Sequence, residues 1–445
     1  MAKPEINRRS FLATSAATTA GMLTSGTVNA APSGGFTPRT VVPENTIGGH
    51  PPPPFSKAEY QERLRHVRDR MAKDNIDMLF VTMPEDMCYL HGLELSWYQQ
   101  NCPQSWNLES ITAVHVDHDN LIHFDHHDEL MAATSVAGDI RRPRRGGDRP
   151  YEGHAMELEA TGWLEGTVGL QYNSYRPRPS HMKLMEAVFS DRGCELIDAS
   201  EVMAEVKLHK SPAEIEVIVE AGRIADIGLQ AAKDTVRPGM TELELYGEIV
   251  RAMTRAGGGM SGLLCAVKAG GNHFIHGIAS ERLIQEVDHV VVDVCGVKNR
   301  YHCNTCRAFF VGEPPKELVD LYAMNGRAMD VVHATGKPGL PLNELTRNLR
   351  EFYKETGAWQ LAQQGKIDGW LGGYELGISF PPDWCGWWTF TVGEEDRSDW
   401  VMQERQVSNY ESFATGTTGL IDTFIYEKGG CRSLTTMAPE LIVVS

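Results

Sequence analysis

Residues 286–312 read EVDHVVVDVCGVKNRYHCNTCRAFFVG, and this stretch decides the fold. The apolar run Val290-Val291-Val292 ends on Asp293, and Asn304 follows in a second apolar segment. Two β-strands joined by a turn are predicted. A carboxylate at each of these two places would make a two-metal clamp of the kind hydrolases set on carbonyl groups. The second place carries an amide, a far weaker metal ligand. Three readings are open at this point: a metal enzyme, a metal-free relative of one, or a protein that has lost its chemistry. Cys303-Asn304-Thr305-Cys306 is a lone C-x-x-C, and on a strand its two thiols point to opposite faces.

Outward from this hairpin the chain divides into two domains. Residues 206–445 form the second, which opens on a strong helix start. Ser211-Pro212-Ala213-Glu214 supplies an N-cap, a proline at the first helical position and a capping glutamate, with the helix running to about Val236. Thr241-Glu242-Leu243-Glu244 opens the next helix in the same way. Val236-Arg237-Pro238-Gly239-Met240, followed by Glu244-Leu245, is echoed by Gly336-Lys337-Pro338-Gly339-Leu340, followed by Glu344-Leu345. Such an echo between helices points to a duplicated half-domain, with a site drawing residues from both halves. Residues 55–205 alternate strands with helices: a helix over 57–73, a strand at 76–81, a hairpin at 111–116 and 121–124, and strands at 167–170 and 195–197. That pattern predicts an α/β layer domain.

The remaining segments concern export. Asn7-Arg8-Arg9-Ser10-Phe11-Leu12 is a twin-arginine signature, and Val28-Asn29-Ala30 is a small-residue cleavage site. Residues 1–30 are expected to be a signal peptide, and residues 31–54, ending in four prolines, a linker or extended arm. The mature protein is then expected to be soluble and periplasmic. The formal charge of −17, with 59 acidic against 42 basic residues, argues against a nucleic-acid partner. Outside the signal segment no run is long and apolar enough to span a membrane. Nine cysteines, an odd number at irregular spacing, leave the disulfide state open, and the lone C-x-x-C lacks the second pair of a finger-like zinc site.

In the second domain, polar residues stand out in apolar or glycine-rich surroundings. Two histidines, His273 and His276, lie in Gly270-Gly271-Asn272-His273-Phe274-Ile275-His276-Gly277. Gly372-Gly373-Tyr374-Glu375 leads into Pro381-Pro382-Asp383-Trp384, and Glu411 sits in Asn409-Tyr410-Glu411.

The order and spacing of these segments, with the hairpin end Arg307-Ala308-Phe309-Phe310-Val311-Gly312 and the terminal Pro439-Glu440-Leu441, resemble the pita-bread superfamily of methionine aminopeptidase, prolidase and creatinase. The resemblance spans residues 55–445. It implies a creatinase-like α/β N-terminal domain and an α+β pita-bread catalytic domain with a pseudo-twofold repeat. In metal-bearing members two aspartates, a histidine and two glutamates hold two ions. Those positions fall here on Asp293, Asn304, Tyr374, Glu411 and Ile421. No metal and no cofactor are therefore expected. Arg300-Tyr301-His302-Cys303 and the Tyr374 to Trp384 segment resemble ectoine hydrolase. Phe55-Ser56-Lys57-Ala58-Glu59-Tyr60 and Gly222-Arg223-Ile224-Ala225-Asp226-Ile227-Gly228 resemble creatinase. There are departures: ectoine hydrolase has a glutamate at Asp293, and creatinase a guanidinium-binding glutamate at Cys306.

Opening an amide, amidine or guanidine without a metal requires a base or nucleophile, an acid for the departing nitrogen, and donors for the oxyanion. His276 is the acid–base candidate. Asp293 is expected as nucleophile or anchor, Glu411 to orient water or hold a cationic nitrogen, and Tyr374 to donate to an oxyanion or to fill the vacated metal site. His302, Asp383, Trp384, Trp388 and Trp97 are expected to bind substrate, the tryptophans through their affinity for cations. The resemblance implies a homodimer in which one subunit roofs the site of the other, so that Trp97 acts in trans. The leading expectation is a metal-independent hydrolase of a C–N bond in a small zwitterionic or cationic compound. Alternatives are a metal-dependent Xaa-Pro dipeptidase or sulfonio-zwitterion lyase of the same superfamily, and a non-catalytic osmolyte- or peptide-binding protein.

Overall fold

The computed structural model describes residues 51–445, apart from 95–97, 99–107, 109, 128–131, 133, 144–148, 271–276, 360–369, 393–399, 416–417 and 445. The expected signal peptide, most of the linker, Trp97, His273 and His276 lie outside the described residues.

The first domain is built on a six-stranded sheet: β1 (Met78–Val81), β2 (Ile111–His115), β3 (Leu121–Phe124), β4 (Asp139–Arg141), β5 (Thr167–Leu170) and β6 (Glu195–Asp198). The strands lie in the order β4-β3-β2-β1-β5-β6. The meander β1-β2-β3 is antiparallel, and β5 and β6 run parallel to β1. Helices α1 (Lys57–Lys73), α2 (Pro84–His91), α3 (Glu152–Ala160), α4 (Pro179–Ser190) and α5 (Ser200–Leu208) complete it. Helix α5 runs through the expected boundary at residue 205. The core also runs on across it: Leu64, Val67 and Met71 of α1 belong to one apolar cluster with Tyr301 and Leu376.

The second domain opens on α6 (Pro212–Thr235) and α7 (Glu242–Arg255), each started by a complete capping box at Ser211 and Thr241. Its strands are β7 (Ala266–Ala269), β8 (Asp288–Lys298), β9 (Tyr301–Val311), β10 (Leu371–Tyr374), β11 (Thr389–Thr391), β12 (Val407–Thr415), β13 (Thr418–Glu427), β14 (Gly430–Ser433) and β15 (Leu441–Val444). They form one sheet in the order β11-β10-β12-β13-β9-β8-β7, with β14 on β13 and β15 on β9. Helices α8 (Lys316–Thr335) and α9 (Leu342–Glu355) close the second half.

The echoed Pro-Gly segments are structurally equivalent. Gly239 and Gly339 adopt left-handed φ values of 82° and 85°. Each donates its N–H to a distant strand-like segment, Gly239 to Ile284 O and Gly339 to Met402 O. Ile284 and Met402 return the bond to Met240 O and Leu340 O. Only glycine takes that backbone conformation without strain, which is why the two turns share it.

The opening hairpin is the spine. β8 and β9 pair antiparallel from Asp288 to Val311, closed by Asn299 and Arg300 at φ 46° and 68°. Two positive φ values make the turn that suits strand twist, at a cost for arginine. Arg300 is held there by its own guanidinium, which donates to Ser379 O and Met260 O and stacks 4.5 Å over Phe380. Gly296 is also required: a Cβ there would sit 2.0 Å from Ala221 O, because α6 lies directly on β8.

Candidate active site

Strand registry gathers the site. Asp293 pairs with Cys306 and Cys295 with Asn304; Cys306 pairs with Ile421, Ile421 with Glu411, and Glu411 with Gly372. Directly paired residues share a face, and alternate residues on each strand join them. Asp293, Asn304, Asn409, Glu411, Ile421 and Tyr374 therefore line one patch of one face. Cys306, paired with Asp293, lies on that face, and Cys303, three residues away and paired with Gly296, lies on the opposite face under α6. Both thiols are buried, and burial pushes Cys303 up to about 12. Among the described residues every cysteine is free.

Asn304 is the hub. Its Nδ2 donates to Asp293 Oδ1 at 2.7 Å and to Val294 O at 3.3 Å. Its Oδ1 accepts from Asn409 Nδ2 at 3.0 Å and from the Tyr374 hydroxyl at 3.1 Å. Asn409 also donates to Glu411 Oε1 at 2.8 Å, and Trp384 Nε1 donates to the Tyr374 oxygen at 2.9 Å. A primary amide has two donors and two acceptor lone pairs, and all four are used.

This arrangement does not fit a metal pair. The amide turns N–H, not oxygen, toward Asp293, and its oxygen is saturated by donors. Ile421 brings an apolar side chain to the fifth position. Among the described residues no group of three or more histidine, cysteine, aspartate or glutamate side chains could hold an ion.

The carboxyl groups are electrostatically unusual. Burial pushes Asp293 up to about 7, against the pull of the Asn304 bond. Burial, then the charge of Asp293, pushes Glu411 up to about 8, although Tyr374 and Asn409 favour its charged form. The charge of Asp293 opposes ionisation of Glu411, so near neutral pH the two together tend to keep a proton. One group is then available as base and the other as acid, the division of labour that acid–base hydrolysis needs.

A stability consequence follows. Carboxyl groups raised above their unfolded values contribute stability that is fully present below the ordinary carboxylate range, and lost as pH rises through about 7 and about 8. The melting temperature should therefore fall across neutral pH. The Glu411→Gln variant should fall less steeply; an equal slope in both proteins would contradict the assignment.

Of the expected substrate contacts, Trp384 is at the site through Tyr374. Tyr374 has its hydroxyl inside the network, bonded to Asn304 and Trp384. His302 is corrected: it is buried, its Nδ1 bonded to Arg300 O at 2.9 Å and its Nε2 accepting from Gly262 N–H at 3.2 Å. Burial and the Arg300 charge push it down to about 3. It positions the glycine-rich loop, where a Cβ at Gly262 would meet Asp383 O at 1.7 Å. Trp388 is corrected too: it is a core residue between Phe390 and Trp400, on the cluster packed with α8 and α9. Asp383 is exposed, and its Oδ1 caps the turn by accepting from Trp384 and Cys385 N–H. Asn409 was missed as a site residue. Its signal was the spacing Asn409-x-Glu411, which on a strand puts both side chains on one face. Cys385, close to the Tyr374 hydroxyl, carried no sequence signal.

Two compact α/β layers, with the site on the sheet of the second, define a creatinase/prolidase-type architecture. Residues 63–208 match the Creatinase/Prolidase N-terminal domain, and residues 216–432 match metallopeptidase family M24. The chain belongs to this superfamily and groups with its creatinase and ectoine hydrolase branch. It is 25% identical over 358 residues to the ectoine hydrolase of Halomonas elongata, covering 74% of this chain and 84% of that protein. It is 28% identical over 158 residues to the Xaa-Pro dipeptidase of Pyrococcus furiosus, covering 35% and 45%. Among solved structures, the Xaa-Pro dipeptidase from Bacillus anthracis superposes with a TM-score of 0.70 at 20% identity, covering 86% of this chain and 100% of that one.

Proposed function

We propose that this M24 hydrolase cleaves a C–N bond in a small zwitterionic or cationic compound without a metal ion. The observation that carries this reading is the Asn304 amide, saturated by hydrogen bonds where a two-metal site would need a carboxylate. The ionised member of the pair Asp293 and Glu411 takes a proton from water as its oxygen bonds to the carbon. The protonated member, or His276, gives a proton to the nitrogen as the C–N bond breaks. Tyr374 would stabilise the oxyanion by turning its O–H from Asn304. Among the described residues no lysine or arginine bonds to the pair, so its negative charge favours a substrate with a cationic group.

The expected result is full activity in excess chelator and no stimulation by manganese, cobalt or zinc. Activity lost to chelator and restored by one of these ions would sink the reading. It would promote the second one, a metal-dependent Xaa-Pro dipeptidase, which the likeness to Pyrococcus dipeptidases supports. A protein that binds such compounds without turning them over is the third. Export by the twin-arginine route to the periplasm and a homodimer belong to the same proposal; cell fractionation and light scattering of the mature chain test them. Among the described residues no helix is long and apolar enough to cross a membrane.

A further inference from the structure

A cavity of about 510 Å³ lies between the two domains, beside the 381–387 loop. α2 gives it Glu85 and Asp86, and α5 gives it Lys207. The second domain gives it Glu375, Cys385 and Trp387, and the segment joining the domains gives Lys210. Most of its charges cancel in pairs. Lys207 meets Asp86 at 2.5 Å, and Lys210 meets Glu375 in a buried ion pair. Glu214, also on the wall, accepts from the Tyr301 hydroxyl and from Ser211 N–H, both at 2.9 Å.

Asp383 and Glu85 are the exceptions; Asp383 is exposed on the wall with its Oδ1 taken by two backbone N–H groups, and its charge adds to the push on Glu85. The hydrogen-bond partner of Glu85 is the Tyr175 hydroxyl at 3.4 Å, and among the described residues no lysine or arginine lies within ion-pair distance of it. Burial pushes its carboxyl up; Lys207 pulls it down and Asp86 pushes it up again, leaving it at about 7. A carboxylate withdrawn from water without a cation is unfavourable, and a bound cation would relieve it. Two aromatic side chains on the same cavity, Tyr172 and Trp387, are 38% and 40% exposed. Aromatic faces beside an uncompensated carboxylate are the chemistry that recognises ammonium and amidinium groups.

The cavity also adjoins the reacting carboxyl pair. Cys385 lines it, and the same side chain lies against the Tyr374 hydroxyl. We propose that the interdomain cavity is a subsite for an organic cation, the ammonium or amidinium end of the substrate, held by the Glu85 carboxylate and the faces of Tyr172 and Trp387. This rests on the hydrolase reading above, which leaves the end of the substrate remote from the scissile bond unplaced.

The test is calorimetric titration of tetramethylammonium chloride into the mature Asp293→Asn protein, with ionic strength held constant by sodium chloride. Saturable binding of one cation per chain is expected, with a Kd raised about tenfold or more by Glu85→Gln. Adding Glu411→Gln should leave the Kd unchanged. Absence of saturable binding overturns the proposal. So does a Kd indifferent to Glu85→Gln, or one lost on Glu411→Gln, which would put the cation at the reacting pair. If Glu85→Gln lowers the melting temperature, Trp387→Ala, at an exposed position, decides in its place by the same tenfold criterion. Because the titration uses a variant disabled for chemistry, failure to find hydrolysis would not change its outcome.

Discussion

Asp293→Asn and Glu411→Gln are each expected to lower kcat by about a thousandfold. Both substitutions are isosteric, and an amide at 293 keeps an oxygen for the Asn304 N–H that now bonds there at 2.7 Å. Each removes a titrating group while keeping the shape. In the proposed mechanism the two carboxyl groups act on one proton, so the double variant should be little worse than either single one, as for residues that work as a unit. The measurement is steady-state turnover on the substrate found from a panel of ectoines, guanidino acids, betaines and proline dipeptides. Melting temperatures should hold or rise, because a buried like-charge pair has been relieved. Either variant retaining activity within tenfold of the parent would remove that residue from the chemistry.

The largest effect on stability is expected far from the reacting groups, at Arg307. Its guanidinium is fully buried on β9 and donates to Asp422 Oδ1 at 2.6 Å, to Ile421 O and Cys306 O, and to Met437 O and Ala438 O. One side chain thus ties β9 to β13 and to the segment leading into β15. Arg307→Ala leaves the Asp422 carboxyl buried without its cation, and strands several carbonyls. The expected loss is about 3–5 kcal/mol, read from denaturant unfolding of the protein. Arg307→Lys should recover part of it, since a single ammonium can reach Asp422 but cannot serve all five acceptors. A loss under about 1 kcal/mol in the alanine variant would mean that water replaces these bonds.

Much of the architecture was legible in local chemistry. The capping boxes at Ser211 and Thr241, the apolar runs of β8 and β9, and the paired Pro-Gly turns are short-range signals, and each appears where the residues place it. Asp293, Asn304, Tyr374 and Glu411 were legible as a set because strand alternation and the family order put them on one face. Trp388 and His302 were not. An aromatic or imidazole side chain reads the same in sequence whether it lines a pocket or fills a core. Only packing separates the two, and here it put Trp388 among Phe390 and Trp400 and gave both His302 nitrogens to backbone groups.

The sequence by itself determined which residue types stand at the positions that the resemblance aligns with metal ligands: an amide, a phenol and an isoleucine beside two carboxylates. Identity is a local property, and it already disfavours an ion. What these residues do instead was decided by the tertiary structure. The Asn304 amide meets partners on three other strands or loops, and its orientation follows from all of them together. The raised carboxyl pKa values arise from burial under both halves of the domain. Glu85, without a cation partner among the described residues, lies on a cavity whose walls come from both domains. Hydrogen-bond saturation, desolvation and the space between domains depend on atoms distant in the chain, so no reading of neighbouring residues contains them.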